Sequence, residues 1–368
     1  MTTHTSVQRD ELSTPPRLTD LPAPPPDKVG WPWTEPAPVP STIMPDGISW
    51  PRISVVTPSF EQGQFLEETM RSVLLQGYPN LEYWVVDGGS RDGSLDIIKK
   101  YSPWLTGWIS EPDRGQAHAL NKGFAMCTGQ LLGWINSDDL LLPGALPALA
   151  LAYRQNPHAL LMGPVQNFDT QHGFSWLVTP KNVTQPAILR PWHHNFVWHQ
   201  PGFYFPRSVF AQVGSFDESF RYIFDQDWLY RALTVAPVQY LTQPLAKFRY
   251  HPASKTVAEA SHWAKEDEIF IRRYLNIAQS DWPLVQAALE VRRAEISLRA
   301  YSLNRKQGVI HLMNALRTNR KIITLRLFWL LTAKAITPHR IMVYLRPFYL
   351  RQKFRQVAPS RPVSKMNP

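Results

Sequence analysis

A single cysteine, Cys127, stands in a chain of 368 residues, so no internal disulfide can form, and no Cys/His spacing fits a structural zinc site. The expected setting is therefore reducing: cytoplasmic, at most peripheral on the cytoplasmic face of a membrane. Long apolar runs are also missing. The best of them, 322–333, is short and contains Arg326. No charged segment backed by an apolar stretch opens the chain, so neither a spanning helix nor a signal peptide is predicted. No repeat recurs at a period between about 20 and 50 residues, which sets solenoids and propellers aside. Acidic residues are scarce in one region, 292–355, where fifteen Lys or Arg face one acid, Glu295. The formal net charge of +10 is thus a property of the C-terminal tail. Such an excess fits an anionic partner, whether nucleic acid, an acidic membrane surface or a phosphorylated substrate.

Proline, by contrast, is plentiful and unevenly placed. Twelve of the 34 prolines lie between Pro15 and Pro51, in a stretch without helical or strand periodicity. Residues 1–50 therefore read as an extended, largely disordered arm. With 44 % hydrophobic residues, the remainder is long enough to bury a sizeable core. From Arg52 onward, apolar runs alternate with amphipathic stretches separated by Gly, Asn, Asp and Ser, the pattern of βαβ units. Strands are predicted at 53–57, 82–87, 107–110 and 131–135, and helices at 64–76, 94–101, 117–127 and 144–155. Beyond these come strand-like 159–165 and 174–178, a loop-rich aromatic stretch through Phe205, helices at 207–213 and 225–233, and a strand at 245–250. After Thr256 the pattern is almost wholly helical.

Each early strand runs into a polar cluster: Thr57-Pro58-Ser59, Asp87-Gly88-Gly89-Ser90, Glu111-Pro112-Asp113-Arg114 and Asn136-Ser137-Asp138-Asp139. In an open parallel sheet the carboxyl ends of the strands form the crevice where ligands bind. The turn after Asp87 opens a helix, and its backbone N–H groups suit a nucleotide, although an ordinary βα turn with Ser94 near the cap explains it too. Adjacent carboxylates at 138 and 139 are costly unless solvated or offset by a cation. Oxygen donors of this kind suit Mn2+ or Mg2+ bridging phosphate oxygens, and a solvated capping turn is the plainer alternative. His193, His194 and His199 read as part of an aromatic, loop-rich wall rather than a zinc site. Trp176, Trp192 and Trp198 read as packing residues ahead of sugar-stacking platforms.

The segment ISVVTPSFEQGQFLEETMRSVLLQGYPNLEYWVVDGGSRDGS resembles, over its full length, the N-terminal signature of the family 2 glycosyltransferases. EPDRGQAHALNKGFAMCTGQLLGWINSDDLLLPGAL is similar to that family's next block, through its metal motif. HQPGFYFPRSVFAQVGSFDESFRYIFDQDWLYRAL and FRYHPASKT resemble its acceptor-side and closing segments. The four blocks are in order and span a little over half of the chain.

The resemblance implies an α/β fold of GT-A type, a mixed, mostly parallel sheet flanked by helices. It places a catalytic domain at 51–255 between the arm, 1–50, and a basic helical C-terminal region, 256–368. It implies metal-dependent, inverting transfer of a sugar from a nucleotide-sugar donor to a hydroxyl acceptor, a glycan or glycolipid of surface polysaccharide or glycolipid synthesis. UDP is the expected nucleotide, because a carboxylate satisfies the uracil N3–H. By position, Thr57, Pro58 and Glu61 fall on the nucleoside loop, Asp87 and Ser90 at the base, and Asp113, Arg114, Gln116 and Lys122 along the sugar and diphosphate. Asn136 and Ser137 open the metal motif. Asp138 and Asp139 match its ligands for Mn2+ or Mg2+, and His251 matches a histidine that approaches the metal or diphosphate. Asn136 departs from the expected Asp-x-Asp pattern, keeping an oxygen but removing a negative charge. Asp225, in FDQDWLYRAL, falls at the catalytic base, with Asp227 its competitor; residues two apart on a helix point about 200° from each other, so both cannot face one pocket. The basic tail, with Leu327, Phe328, Leu330 and Leu331 among its Arg and Lys, is expected either to meet an anionic membrane surface or to pack as a basic helical subdomain against the catalytic core, with no nucleic acid as partner. Three other readings fit less well, and a degenerate glycosyltransferase serving as a binding or scaffold subunit is set aside by the intact candidates for metal, base and nucleoside contacts. A nucleotidyltransferase of similar fold would carry a Gly-rich loop absent at 57–64, and a nucleic-acid-binding protein would have its phosphates repelled by Asp87, Asp138, Asp139 and Asp225.

Overall fold

The computed structural model describes residues 4–5, 14–169, 175–190, 192, 196–251, 254–255, 260–276, 278, 281–298 and 304–337. A two-residue strand, β1 (His4–Thr5), precedes β2 (Ile53–Ser59), α1 (Gly63–Leu74), β3 (Leu81–Asp87), α2 (Ser94–Tyr101), β4 (Gly107–Ser110), α3 (Gln116–Met126) and β5 (Leu131–Trp134). β4, β3, β2 and β5 lie side by side in that order, every pair parallel. Every residue of β2 is buried, as expected of a strand covered by helices on both faces, and this is why ISVVTPS is nearly continuous in apolar residues rather than alternating. Because β3 lies on one side of β2 and β5 on the other, the strand order reverses next to β2. The carboxyl ends of β2, β3 and β5 therefore open on one crevice.

The second half closes the sheet with antiparallel strands. After β6 (Leu140–Leu141), α4 (Ala145–Gln155), β7 (Leu160–Met162), β8 (Val165–Asp169), β9 (Ser175–Val178) and α5 (Gln185–Leu189), strand β10 (Phe203–Pro206) pairs antiparallel with both β5 and β7. Tyr204 sits opposite Gly133 in that register, and a side chain at 133 would collide with the Tyr204 ring, so glycine is required there. Helices α6 (Arg207–Val213) and α7 (Phe224–Ala232) follow, then β11 (Val238–Tyr240) and β12 (Ala246–Tyr250). The main sheet runs β1-β4-β3-β2-β5-β10-β7-β11, and a second sheet, β6-β12-β8-β9, stands beside the crevice. The strand expected at 159–165 covers β7 and reaches only the first residue of β8. The two strands are separate, divided at Gly163-Pro164, and they belong to different sheets.

Four helices end the described chain: α8 (Ala260–Tyr274), α9 (Trp282–Ser297), α10 (Arg305–Thr318) and α11 (Arg326–Ile336). The boundary expected at residue 255 does not divide the core. One apolar cluster runs from Val56 and Trp134 through Trp228 to Phe270, Leu312 and Phe328. Residues 14–50, expected to be a largely disordered arm, contain no helix or strand, but they are packed: Leu21, Trp33, Met44 and Trp50 are buried. The side chain holding them is Arg71 of α1, itself fully buried. It donates to the carbonyls of Pro22, Pro32 and Trp33 at 2.8, 3.1 and 3.3 Å and lies over the Trp33 ring. Proline-rich chain has fewer N–H groups to satisfy and exposes carbonyls, which is what a buried guanidinium needs.

Candidate active site

The loop after β3 is built around Asp87. Its buried carboxylate accepts from the Gly89 and Ser90 N–H groups at 3.0 and 2.9 Å, and from the Ser110 and Ser90 hydroxyls at 2.8 and 2.6 Å. Gly89 takes φ of 83°, which a side chain there would oppose. The carboxylate expected to meet the nucleobase is thus largely occupied in shaping its own loop. Ser90 then accepts the Glu61 N–H at 2.8 Å while Glu61 accepts the Arg91 N–H at 3.0 Å, tying the loops after β2 and β3 together. Thr57 does not face the crevice opening. Its hydroxyl is buried against the Tyr83 hydroxyl at 2.9 Å, and Pro58 is buried in β2. Phe60, which the sequence reading passed over, is 60 % exposed on the same loop, with its ring against Gly88.

The second cluster, 136–139, divides its carboxylates between two jobs. Asp139 is buried. It accepts the Arg249 N–H at 2.9 Å, and burial beside Asp138 holds its carboxyl well above the usual range. One of its oxygens thus ties the loop to β12, while the other lies 3.5 Å from Asn136 Nδ2. Asp138 instead turns outward, its Oδ2 lying 3.1 Å from His251 Nε2. The Arg249 guanidinium, between the Phe65 and Phe168 rings, donates to the Asp138 carbonyl at 2.8 Å and to Glu68 at 2.9 Å. Thr69 of α1 holds the same loop from below, donating to the carbonyls of Ser137 and Asp139. Among the described residues no three His, Cys, Asp or Glu converge on one point. One carboxylate and one imidazole remain, a sparse set that fits a hard divalent ion whose other oxygens come from phosphate.

Asn136 sits at the centre of a bonded chain. It accepts from Gln116 Nε2 at 2.7 Å and donates to Gln200 Oε1 at 3.1 Å, and Gln116 in turn accepts from Lys255 Nζ at 3.0 Å. The positive charge of Lys255 reaches Asp225. Asp225 is only partly exposed in the first turn of α7, and burial pushes its carboxyl up to about 7, against its bond to the Gln226 N–H and the pull of Lys255. Asp227 has a different task. It is fully buried, paired with Arg231 at 2.9 Å and bonded to the Tyr274 hydroxyl at 2.8 Å. The two carboxylates point apart, as two helical residues at this spacing must.

Three of the expected site residues are paired with neighbours. Arg114 is paired with Glu218 at 2.6 Å and mostly exposed, and Lys122 is paired with Glu111 at 3.0 Å. The sequence pattern connected neither carboxylate to these cations. Asp113 accepts the Gly115 N–H at 2.7 Å, its other oxygen lying against Gly88. Gln200, Lys255 and Arg249 were missed as individual residues. Their only signal was membership of the aligned blocks HQPG and FRYHPASK. His193 and His194 lie outside the described residues, and His199 packs edge-on against Phe248 at 5.2 Å.

A parallel sheet with its switch point at β2, a tight turn after β3 and a carboxylate–imidazole pair after β5 define an α/β protein with a ligand crevice at the carboxyl edge of its sheet. The sequence profile of glycosyl transferase family 2 matches residues 54–214. An uncharacterized glycosyltransferase of Mycobacterium tuberculosis is 33 % identical over 192 residues, 51 % of this chain and 71 % of that one. The O-antigen biosynthesis protein RfbC of Myxococcus xanthus is 31 % identical over 224 residues, 59 % of this chain and 17 % of that one. Among solved structures, the mannosyltransferase PcManGT of Pyrobaculum calidifontis, in complex with GDP-Man and Mn2+, superposes with a TM-score of 0.49 at 19 % identity, covering 88 % of this chain and 92 % of that one. The chain belongs to glycosyltransferase family 2, and its mixed, mostly parallel sheet with flanking helices is the GT-A arrangement.

Proposed function

We propose that the protein transfers a sugar from a UDP-sugar to a hydroxyl of a glycan or glycolipid acceptor, inverting the anomeric carbon. The observation that carries this reading is the bonded chain across the crevice. Lys255, whose charge reaches Asp225, donates to Gln116, and Gln116 donates to Asn136 in the loop that carries Asp138 beside His251. One end of the site is acidic and open, and the other holds a carboxyl tuned near neutrality.

Asp138 and His251 are the residues that would hold Mn2+ or Mg2+, with diphosphate oxygens completing the set. Such an ion supplies positive charge where the leaving diphosphate gains negative charge. The rest is done by the chain itself. Asp225 takes the proton from the acceptor hydroxyl while that oxygen attacks the anomeric carbon from the face opposite the diphosphate. The new glycosidic bond forms as the bond to the diphosphate breaks, so configuration inverts. The loops after β2 and β3, pinned by Asp87, Ser90 and Glu61, form the nucleoside wall, with exposed Phe60 available to stack on the base. The RfbC relative supports a process of surface polysaccharide or glycolipid synthesis, and the lone, buried Cys127 fits the cytoplasmic side.

A thermal-shift and turnover screen of nucleotide sugars, with and without Mn2+ and with Asp138→Asn alongside, tests this reading. UDP-sugars are expected to stabilise the wild type only with metal, and Asp138→Asn to lose that response. Full turnover in EDTA would remove the metal from the scheme, and stabilisation by GDP-sugars alone would reassign the donor.

A further inference from the structure

Helices α10 and α11 are apolar on both of their faces. The inner faces are accounted for by folding: Leu312 and Ala315 of α10, and Phe328, Leu331 and Ala335 of α11, are buried in the main core cluster. Phe328 and Leu331, expected from the sequence to face a membrane, are therefore not available to one. The outer faces carry a separate set. On α10 it is Val309, Met313 and Leu316, spaced four and three residues apart, and on α11 it is Trp329, Leu330 and Ile336, which are 57 %, 56 % and 73 % exposed. Ile323, in the turn between them, is also exposed, and the Trp329 indole N–H donates to its carbonyl at 2.7 Å, fixing the ring over that turn. Eight of the seventeen large hydrophobic residues exposed on the described chain fall within 309–336. This is a concentrated patch, not the scatter normal for a surface.

Its surroundings are cationic. Arg317, Arg320, Lys321 and Arg326 are exposed at the same turn, and between Asn304 and Thr337 the chain has seven Lys or Arg and no acid. From 338 to 368 the sequence adds seven more Lys or Arg, again with no acid. A second copy of this chain would bring a like-charged face to the patch, so self-association is opposed by charge. An anionic bilayer interface complements both features at once, since it accepts apolar side chains a few ångströms deep, favours tryptophan at headgroup level and attracts flanking Lys and Arg.

We propose that the outer face of α10, α11 and their connecting turn is a docking surface for an anionic phospholipid bilayer, with Trp329, Leu330, Ile323 and Ile336 inserted and Arg317, Arg320, Lys321 and Arg326 at the headgroups. Among the described residues no helix is long and apolar enough to cross a membrane, so the contact lies in the plane of the surface. Docking is independent of the catalytic reading, because it requires no nucleotide sugar.

The test is flotation of the full chain, without donor, on vesicles of phosphatidylcholine alone and of phosphatidylcholine with phosphatidylglycerol. The wild type floats with the anionic vesicles and stays behind with the neutral ones. Trp329→Ser combined with Leu330→Ser lowers binding about tenfold or more while the chain keeps a single cooperative melting transition, since both positions are more than half exposed. Arg320→Gln with Lys321→Gln weakens binding and makes it fail at lower salt. No flotation on anionic vesicles would overturn the proposal. So would wild-type binding by the Trp329/Leu330 variant, or a wild-type dimer in sedimentation that this variant dissolves.

Discussion

At the scale of single residues, the crevice separates carboxylates that look alike in sequence. Asp225 and Asp227 differ by what surrounds them, and Asp138 and Asp139 by which way they turn. An aspartate in an unfolded chain titrates near about 3.9, whereas Asp225 is held up at about 7. As pH rises the unfolded chain ionises first, so this group begins to subtract from stability above about pH 4, and its full penalty is reached above about pH 7. Asp225→Asn is accordingly expected to raise the melting temperature near neutral and alkaline pH and to leave it unchanged near pH 4. The same substitution should lower turnover by about 10²–10⁴ with donor affinity kept. In the wild type, kcat/KM should rise with pH and level off above about 7, as a base requires. If Asp227→Asn abolished turnover while retaining its melting temperature, and Asp225→Asn did not, the roles would be exchanged. For the other pair, Asp138→Asn should remove the Mn2+ response at nearly wild-type stability. Asp139→Asn, which disturbs a buried acceptor of the Arg249 N–H, should show first in the melting temperature. The pattern of adjacent carboxylates was legible in the sequence, but the division of labour was not, because the donor to Asp139 lies 110 residues further along the chain.

At the scale of elements, α7 is set in place by a helix that the sequence reading assigned to another domain. Glu266 of α8 accepts the N–H groups of Arg221, Tyr222 and Ile223 at 2.8, 2.8 and 3.2 Å, holding the segment that leads into α7. Its negative charge is also among the influences that raise Asp225. Glu266→Gln keeps an acceptor oxygen but loses the charge, so the rising limb of the pH–activity profile should move to lower pH. Glu266→Ala leaves the N–H groups without their acceptor and should lower the melting temperature as well. A profile that does not move in the Gln variant would restrict Glu266 to a structural role. The parallel strands β2 to β5 were legible because each is a short, largely apolar run that ends in polar turn residues. β10 was not. Phe203–Pro206 is three aromatic residues and a proline, bounded by Gly202 and Arg207, and only its antiparallel neighbours β5 and β7 make it a strand.

At the scale of the whole molecule, the N-terminal segment and the helical end are bound into the catalytic body, and Arg71 allows this to be measured. Proline-rich composition signals a chain that cannot build regular structure of its own, and this was legible. That such a chain can instead be clamped as extended backbone depends on a cation buried elsewhere, which composition does not reveal. The Arg71 guanidinium has no exposed surface, and besides the Pro22, Pro32 and Trp33 carbonyls it meets the Tyr101 hydroxyl at 3.0 Å. Removing residues 1–40 would strip away three of those four acceptors together with Leu21 and Trp33, leaving a charged group at a site shaped to exclude water. Breaking a buried charge from its partners costs about 3–5 kcal/mol, so the truncated chain is expected to unfold at markedly lower urea, where loss of a disordered arm would change nothing. Arg71→Met in the full chain should also destabilise, by releasing the carbonyls. In the truncated chain the same substitution should recover part of the loss, because the stranded charge is gone. The two changes are therefore non-additive, and urea unfolding followed by circular dichroism on the four proteins measures the coupling. Additive losses, or a truncation as stable as the full chain, would mean that Arg71 does not hold the arm.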